Sequence, residues 1–303
     1  MCLFTWAVPC QVPAIIKYAM RNDNETKLRQ PAGDMADISE NEIPKMLCIV
    51  NDQTDAYFNM AAEEYLIRNF STPVFMLYQN EPSVIIGRHQ CVDAEINTDF
   101  VREKQIKIVR RNSGGGAVYQ DYGNLNLSFM ETGNSADFDK YAKQMQHLLS
   151  TLGIHAQTDA RRALYVDGLK ISGSAQFVRG DKTLYHATLL FSTDLINMAS
   201  ALEGRYADFE NMGPTERNRY VKSVRSRVTN IRDYLPMPMT LSDFKNHIFQ
   251  YFLRYNKSNS LYRFSREDIR AIENLRRVKY ATSAWNLQDG LSFNQKIGTI
   301  NAC

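Results

Sequence analysis

Hydrophobic positions along residues 46–290 recur with two periods, and the change between them predicts where helices and strands lie. Apolar residues three or four positions apart indicate the buried face of a helix, whereas alternation or short apolar runs indicate strands. The predicted strands are Met46–Val50, Val74–Tyr78, Val84–Ile86, Ile106–Val109, Leu125–Phe129, Ile154–Gln157, Ala163–Val166, Lys170–Val178 and Thr183–Phe191. The predicted helices are Asp55–Asn69, Thr98–Gln105, Asp137–Leu152, Leu195–Leu202, Leu241–Tyr255 and Arg266–Val278.

The order of these elements predicts an α+β fold. The helix over Asp55–Asn69 carries its apolar residues at helical spacing, and Gly153 stops the helix over Asp137–Leu152. Several strands follow one another without an intervening helix, and Arg179-Gly180-Asp181 has the composition of a hairpin turn. This order is typical of a mixed, largely antiparallel sheet with flanking helices, and not of a doubly wound parallel sheet.

Composition and charge narrow the class of protein. The chain has 303 residues, of which 44% are hydrophobic, so it is long enough for one large domain with a real core. Its 36 basic and 33 acidic residues give a net charge of only +3, which argues against nucleic-acid binding. No apolar run reaches the roughly 20 residues that a membrane-spanning helix needs. The five scattered cysteines are typical of reduced thiols, so we expect a cytoplasmic protein, or a mitochondrial one in a eukaryote.

Residues 1–45 differ in composition from the rest of the chain. The segment is mildly apolar up to Met20 and then polar, with acidic residues that a mitochondrial presequence would lack. This pattern predicts a disordered extension. A globular domain then covers residues 46–290, and residues 291–303 form a short tail.

Three consecutive glycines in the segment Arg110–Tyr119 form the first candidate site. Glycines between two strands allow a ligand to approach the backbone closely, and successive N–H groups can form a concavity that binds an anion. Arg111, just before the glycines, can grip a phosphate or carboxylate with its planar donors. The spacing matches neither a P-loop nor a dinucleotide fingerprint. On glycine content alone, a flexible hairpin remains the alternative.

Lys170 lies in a second candidate segment, Asp167–Gln176, among small residues that leave space beside it. A lysine in such space can neutralise an α-phosphate and stabilise charge that develops during nucleotidyl transfer. A lysine that caps an exposed hairpin explains this segment equally well.

Other polar segments add weaker signals. Ser223–Asn230 alternates serine and arginine, follows Arg217, Arg219 and Lys222, and reads as a loop that closes over a nucleotide or meets an acidic partner. Ile86–Gln90 ends an apolar strand in polar groups. His186 lies in the middle of a strand, where a histidine is more often a satisfied core residue than a catalyst.

Taken together, these segments resemble the lipoate–protein ligase A family, which belongs to a larger group with the biotin protein ligases. They occur in the family's order and span roughly Met46 to Asn286. The matching segments are Ala56–Glu64, Ile86–Asn97, Arg110–Phe129, Lys170–Gln176, His186–Leu190 and Ser223–Asn230.

The resemblance implies a fold like the catalytic core of biotin ligases and class II aminoacyl-tRNA synthetases. It also implies a reaction in two steps, in which lipoate and MgATP give lipoyl-AMP and a carrier lysine then takes the lipoyl group. The implied cofactors and substrates are ATP, Mg²⁺ and lipoate. The implied partners are lipoyl domains of 2-oxoacid dehydrogenase E2 subunits, the glycine cleavage H protein and a separate accessory-domain protein, with no nucleic acid and no membrane.

The resemblance also assigns roles to individual residues, with Lys170 as the catalytic residue, whereas the residues that would bind a metal are left open. The residues expected to bind the nucleotide are Arg111, Gly116, Ala117, Val118, Tyr119 and Lys170. The residues expected to bind lipoate are Lys170, Arg88, Gly114, Gly115 and His186. Apolar walls for the acyl chain are expected from Val84–Ile86 and from the helix over Tyr57–Tyr65.

The chain departs from the family's pattern at three places. Gln120 stands where members commonly have histidine, Cys91 where they have asparagine, and Arg162-Ala163 where they have Asn-Asp. Three alternatives to a complete ligase therefore stay open. They are a transferase that uses preformed lipoyl-AMP or an accessory protein, a non-catalytic lipoate or acyl-adenylate binder, and an acyl transferase that uses Cys91. The preference between lipoate and octanoate is also left open.

Overall fold

The computed structural model describes residues 45–133, 137–204 and 220–287. The predictions for the N-terminal extension before residue 45, for Arg217 and Arg219, and for the tail over residues 291–303 lie outside the described residues. The strands are β1 Leu47–Asn51, β2 Val74–Tyr78, β3 Ser83–Ile86, β4 Lys107–Arg110, β5 Val118–Gln120, β6 Asn124–Thr132, β7 Gln157–Thr158, β8 Leu164–Val166, β9 Leu169–Ser172, β10 Ser174–Arg179, β11 Lys182–Leu190 and β12 Ser260–Leu261. The helices are α1 Ala56–Asn69, α2 Val92–Glu95, α3 Thr98–Glu103, α4 Asp139–Ser150, α5 Leu195–Ala201, α6 Leu241–Arg254, α7 Arg266–Leu275 and α8 Ser283–Asn286.

A six-stranded sheet in the order β10-β11-β6-β2-β1-β12 forms the centre of the described structure. Strands β10, β11, β6 and β2 pair antiparallel, whereas β1 pairs parallel with both β2 and β12. The predicted α+β class with a mixed, largely antiparallel sheet is therefore confirmed. The remaining strands form two smaller sheets, in the orders β4-β3-β5 and β7-β8-β9.

Helices cover both faces of the six-stranded sheet because its strands carry apolar side chains on both sides. On one face α4 and α6 pack on an aromatic cluster in which the Phe75 ring lies 4.5 Å from that of Phe252. On the other face α1 packs on Ile49, Met76 and Tyr78. Asp55 caps the start of α1, where its side chain accepts a hydrogen bond from the Tyr57 N–H and satisfies a free helix donor. Nowhere in the described ranges is a helix both long and apolar enough to cross a membrane.

The predicted single strand over Lys170–Val178 is wrong, and the difference shapes the site. The chain forms two strands here, β9 and β10, which belong to different sheets and meet at Gly173. Strand β9 returns from β8 through a tight turn in which Asp167 and Gly168 both have positive φ, as an Asp-Gly hairpin turn requires. Gly173 then joins β9 to the six-stranded sheet through two hydrogen bonds with the backbone and side chain of Thr188.

Some predicted boundaries differ from the structure. The predicted strand over Ile154–Gln157 is replaced by β7, which begins at Gln157 and pairs with β8, while Ile154 is buried in the core. The predicted helix over Arg266–Val278 ends as an α-helix at Leu275 and continues as a π-helical turn over Arg276–Tyr280. The pattern did not predict β5 and β12, which are three and two residues long.

Candidate functional site

A cavity of about 830 Å³ lies between the glycine loop, strands β9 to β11 and the segment Val221–Ser226. Most of the residues proposed from the sequence meet there, although they come from three separate parts of the chain, the glycine loop, β9 and β11. The predicted residues that line this reaction cavity are Arg111, Gly115, Gly116, Ala117, Val118, Lys170 and His186.

Lys170 extends from β9 into the reaction cavity. Its backbone is fixed by hydrogen bonds to the Arg227 carbonyl (2.9 Å) and from the Thr229 N–H (3.0 Å), which tie β9 to the predicted loop Ser223–Asn230. A Cβ atom at Gly173 would lie 3.5 Å from Lys170 Nζ, which is ordinary van der Waals contact, so Gly173 lies directly beside the ammonium group. Within the described ranges, no hydrogen-bond acceptor or carboxylate pairs with this Nζ. Burial lowers the pKa of Lys170, partly offset by the nearby charge of Asp159.

The side chain of Arg111 stabilises the conformation of the glycine loop. Its buried guanidinium donates hydrogen bonds to the carbonyls of Ile85, Gly114 and Gly116 at 2.7–2.9 Å and to the Ser113 hydroxyl at 2.9 Å. Burial lowers the pKa of Arg111 to about 10. Because its donors already face protein acceptors, Arg111 determines the position of the loop. Direct contact between Arg111 and a nucleotide stays a prediction.

A buried chain of hydrogen bonds joins Glu63, His186 and Ser113. His186 Nε2 lies 2.7 Å from Ser113 Oγ, and its Nδ1 lies 3.1 Å from both carboxylate oxygens of Glu63. Tyr78 and Ser128 donate further hydrogen bonds to Glu63. Both ring nitrogens of His186 are therefore satisfied, and the ring supports the serine that precedes the glycines. The sequence did not single out Glu63 or Ser113, although a glutamate on the apolar face of α1 was a signal of a buried polar network.

Burial alone would raise the pKa of Glu63. The charge of His186 and the hydrogen bonds from His186, Ser128 and Tyr78 outweigh that effect and hold the pKa below its usual value. Glu63 is therefore an ionised carboxylate inside the core, and it stabilises the histidine orientation that the glycine loop requires.

The segment from Val221 to Ser226 closes one side of the reaction cavity. Ser223 Oγ accepts hydrogen bonds from the Ala117 N–H and from the Gln90 side chain, each at 2.9 Å. The Ser223 N–H donates to the Glu95 carboxylate at 3.1 Å. A Cβ atom on Gly116 would lie only 2.8 Å from Ser223 Oγ, so the contact depends on glycine at that position.

Asp159 is the one carboxylate among the residues that line the reaction cavity. It accepts hydrogen bonds from the Arg161 and Ala163 N–H groups and from the Tyr165 hydroxyl. Burial raises its pKa, but these hydrogen bonds and the charge of Lys170 outweigh burial and lower it overall. Ala163, one of the positions at which we expect a departure from the family's pattern, is buried beside it. No group of three or more potential metal ligands occurs in the part of the chain that the structure describes.

One end of the reaction cavity is apolar. Met60 from α1, Ile85 from β3 and Val118 from β5 line it together with Tyr78. The two predicted walls, the strand over Val84–Ile86 and the helix over Tyr57–Tyr65, therefore each contribute one side chain to the cavity.

Three of the predicted site residues lie elsewhere. Arg88 and Gly114 line a second cavity of about 610 Å³. Tyr119 is buried in an apolar cluster with Val84 and Ile86 and does not line the reaction cavity. The glycine loop packs closely against Gly87. A Cβ atom on Gly87 would be only 2.1 Å from the Gly115 carbonyl oxygen.

Cys91 is buried, and burial raises the pKa of its thiol. A raised pKa lowers the fraction of thiolate, which is the nucleophilic form. The geometry at Cys91 therefore gives no support to an acyl transferase that uses this cysteine.

Comparison with known proteins identifies the family. Residues 55–253 match the profile of the lipoyl protein ligase A/B catalytic domain. The chain is 36% identical to lipoate-protein ligase LplJ of Bacillus subtilis over 257 residues, which cover 82% of the chain and 76% of that protein. It is 35% identical to lipoate–protein ligase 1 of Staphylococcus aureus, over 80% of the chain and 74% of that protein.

Solved structures show the same fold. A bi-partite lipoate protein ligase from Thermoplasma acidophilum, studied with its E2 lipoyl domain, superposes with a TM-score of 0.66 at 23% identity, over 81% of this chain and 97% of that chain. A lipoate protein ligase from the same organism with bound lipoic acid has a TM-score of 0.66 at 22% identity, over 80% of this chain and 99% of that chain. A lipoate-protein ligase A bound with ATP has a TM-score of 0.63 at 24% identity, over 80% of this chain and 98% of that chain.

Proposed function

Since the chain belongs to the lipoate–protein ligase family and is a ligase of protein lipoylation, we propose that it makes lipoyl-AMP and passes the lipoyl group to a lysine of a carrier domain. In the first step a lipoate carboxylate oxygen bonds to the α-phosphorus of ATP, and pyrophosphate leaves. In the second step the lysine ε-amine bonds to the acyl carbon, AMP leaves, and the amine loses a proton.

The observation that carries this proposal is the ammonium group of Lys170, which pairs with none of the described residues and lies in the same cavity as Gly115 and Gly116. Both steps build negative charge, first on the phosphate oxygens and then on the acyl oxygen and the leaving AMP. A fixed cation in a partly dry cavity stabilises such charge more than water does, because it needs no reorganisation. Lys170 is the residue to which we assign this role.

The shape of the cavity suits a ligand with one apolar and one anionic end. The apolar end, with Met60, Ile85 and Val118, fits the lipoyl chain. The cationic side chains of Lys170 and Lys222, which line the same cavity, suit the adenylate phosphate. Relatives of the same fold have been solved with ATP and with lipoic acid, which supports both substrates.

Magnesium, in this proposal, arrives with the triphosphate. The phosphates and water would supply most of its ligands, as is usual for magnesium bound with a nucleotide. Asp159 is the cavity carboxylate that could contribute a ligand. The carriers we propose are lipoyl domains of 2-oxoacid dehydrogenase E2 subunits and the glycine cleavage H protein, the former supported by the relative studied with its E2 lipoyl domain.

The test uses purified protein with lipoate, MgATP and an apo lipoyl domain. We expect release of pyrophosphate and a lipoyl mass gain on the carrier, and we expect Lys170→Met to lose both. The matched control is Lys143→Met. Lys143 is an exposed residue of α4, the helix that packs on the face of the six-stranded sheet opposite α1. If wild-type protein modifies no carrier, even with synthetic lipoyl-AMP, the proposed function is wrong.

A second candidate is a transferase that depends on preformed lipoyl-AMP or on an accessory protein. Alanine at position 163 in place of the family's aspartate favours it, as does the likeness to a bi-partite ligase. It predicts transfer from lipoyl-AMP but no pyrophosphate release from lipoate and ATP. A non-catalytic binder, the remaining alternative, would bind lipoyl-AMP without transfer. Parallel reactions with octanoate determine which acyl acid is preferred.

A further inference from the structure

The second cavity, beside the glycine loop, is lined by more positive charge than its surroundings neutralise. Its lining contains four cationic side chains and a single carboxylate, Glu64. Glu64 is already paired with Arg68 and Lys279. No carboxylate of the described residues pairs with the other two cations, Arg88 and Arg179. Among the described residues, Arg88 and Arg179 are therefore the cations of this surface that remain available to an anionic partner.

The cationic groups are held on an aromatic platform. The Arg88 guanidinium carbon lies 4.2 Å from the centre of the Trp285 ring, and Lys279 Nζ lies 3.8 Å from it. Arg88 Nη1 is buried, yet no acceptor among the described residues is within hydrogen-bond distance of it. Stacking on Trp285 fixes the position of the Arg88 charge without neutralising it, which preorganises this part of the surface for a carboxylate.

The second cavity adjoins the reaction cavity along three elements. Gly114 lines the second cavity, whereas its neighbour Gly115 lines the reaction cavity. In β10, likewise, Gln176 lines the second cavity and Ala175 lines the reaction cavity. On α1, Met60 faces the reaction cavity and Glu64 lies one helical turn later in the second. A protein docked over the second cavity therefore lies next to the reaction cavity, which its lysine has to reach.

The exposed part of this surface suits a protein better than a small ligand. β10 is an edge strand of the six-stranded sheet, and its Val178 side chain is 56% exposed. Arg179 and Arg68 are also exposed at the rim. Charges at the rim of an interface steer a partner and fix its orientation, while the apolar residues provide contact area.

We propose that this basic surface, formed by Arg68, Arg88, Arg179, Lys279 and Trp285, docks an acidic face of the carrier domain. The inference rests on the proposed function, because it identifies the surface on which the acceptor of the lipoyl group binds. Binding here supplies orientation and association rate, whereas the chemistry stays in the reaction cavity.

The experiment measures the carrier KM of two variants on β10 with lipoyl-AMP as donor. For Arg179→Glu we expect a carrier KM about fivefold higher at low salt, because an attraction becomes a repulsion. For Gln176→Lys we expect a lower carrier KM, because a cation is added to the same rim. Both differences should shrink at high salt, since ions screen exposed charges. The matched control, Lys143→Glu on α4, should behave as wild type.

Separate readouts distinguish the possible failures. Pyrophosphate release without carrier should be the same in wild type, both β10 variants and the control, and their thermal unfolding confirms that they fold. If Arg179→Glu and Gln176→Lys both keep the wild-type carrier KM, or if the KM of lipoate or ATP changes instead, the docking surface is wrong. If wild type shows no transfer at all, the proposed function fails, and carrier binding by calorimetry still tests the surface.

Discussion

Replacing Gly116 with alanine tests whether the segment after Val221 holds the glycine loop in place. The added Cβ would lie 2.8 Å from Ser223 Oγ and 3.2 Å from its Cα and Cβ atoms. Ser223 cannot easily retreat, because its N–H is bound to Glu95 and its hydroxyl to Gln90 and Ala117. The methyl group therefore has to separate the two segments by several tenths of an ångström.

The magnitude follows from what that separation breaks. Overpacking a close contact costs about 1–3 kcal/mol, and the Ala117 N–H loses its acceptor in a partly buried place, which costs about 1–3 kcal/mol. Some relaxation of Ser223 lowers the sum, so we expect Gly116→Ala to reduce the free energy of unfolding by about 2–3 kcal/mol. For a domain of this size that corresponds to a melting temperature about 5–10 °C lower.

Gly114→Ala is the matched control, because no heavy atom lies within 4 Å of the Cβ that it adds. Its φ lies outside the left-handed region, so alanine fits its backbone, and we expect stability within about 0.5 kcal/mol of wild type. Urea unfolding of both variants measures the difference, and pyrophosphate release reports the displaced loop as a higher ATP KM for Gly116→Ala. If the two variants unfold at the same urea concentration, the Ser223 contact does not determine the loop position.

Three further predictions concern the buried charges. Lys170→Met should lower the rate of adenylate formation by about 10²–10³-fold. It should also raise the free energy of unfolding at pH 7. Burial lowers the pKa of Lys170, so the protonated side chain destabilises the folded state, and methionine removes that cost. Its stability advantage in unfolding experiments should shrink as the pH rises toward 10.5; an advantage independent of pH would contradict this. Glu63→Gln should cost about 2 kcal/mol near neutral pH, since three donors lose an ionised acceptor. That difference should disappear as the pH falls below 4.5 and through the lowered folded-state pKa, and a constant difference would refute the role of the carboxylate. Arg111→Lys should destabilise by about 3 kcal/mol and raise the ATP KM, because a lysine cannot bind the carbonyls of Ile85, Gly114 and Gly116 together; equal unfolding midpoints would show that the loop does not depend on the guanidinium.

The sequence by itself determined the elements whose signal is local. The amphipathic pattern of α4 and the apolar run of β2 predicted those elements to within two residues, because burial of one helix face or one strand depends on nearby residues only. The three glycines and Lys170 were chosen for the chemistry that their neighbours allow, and the structure places Gly115, Gly116 and Lys170 around one cavity.

Tertiary structure alone decided which strands pair and which side chains meet. The segment Lys170–Val178 divides at Gly173 because β9 pairs with β8, whereas β10 pairs with β11. The residues of a strand do not by themselves determine which strands it pairs with. The contact between Glu63, His186 and Ser113 joins residues as many as 123 positions apart, so no spacing rule could reveal it. Arg88 and Gly114 lie in the second cavity for the same reason: neighbours in sequence can face opposite sides of a loop, and only the packed fold fixes the side.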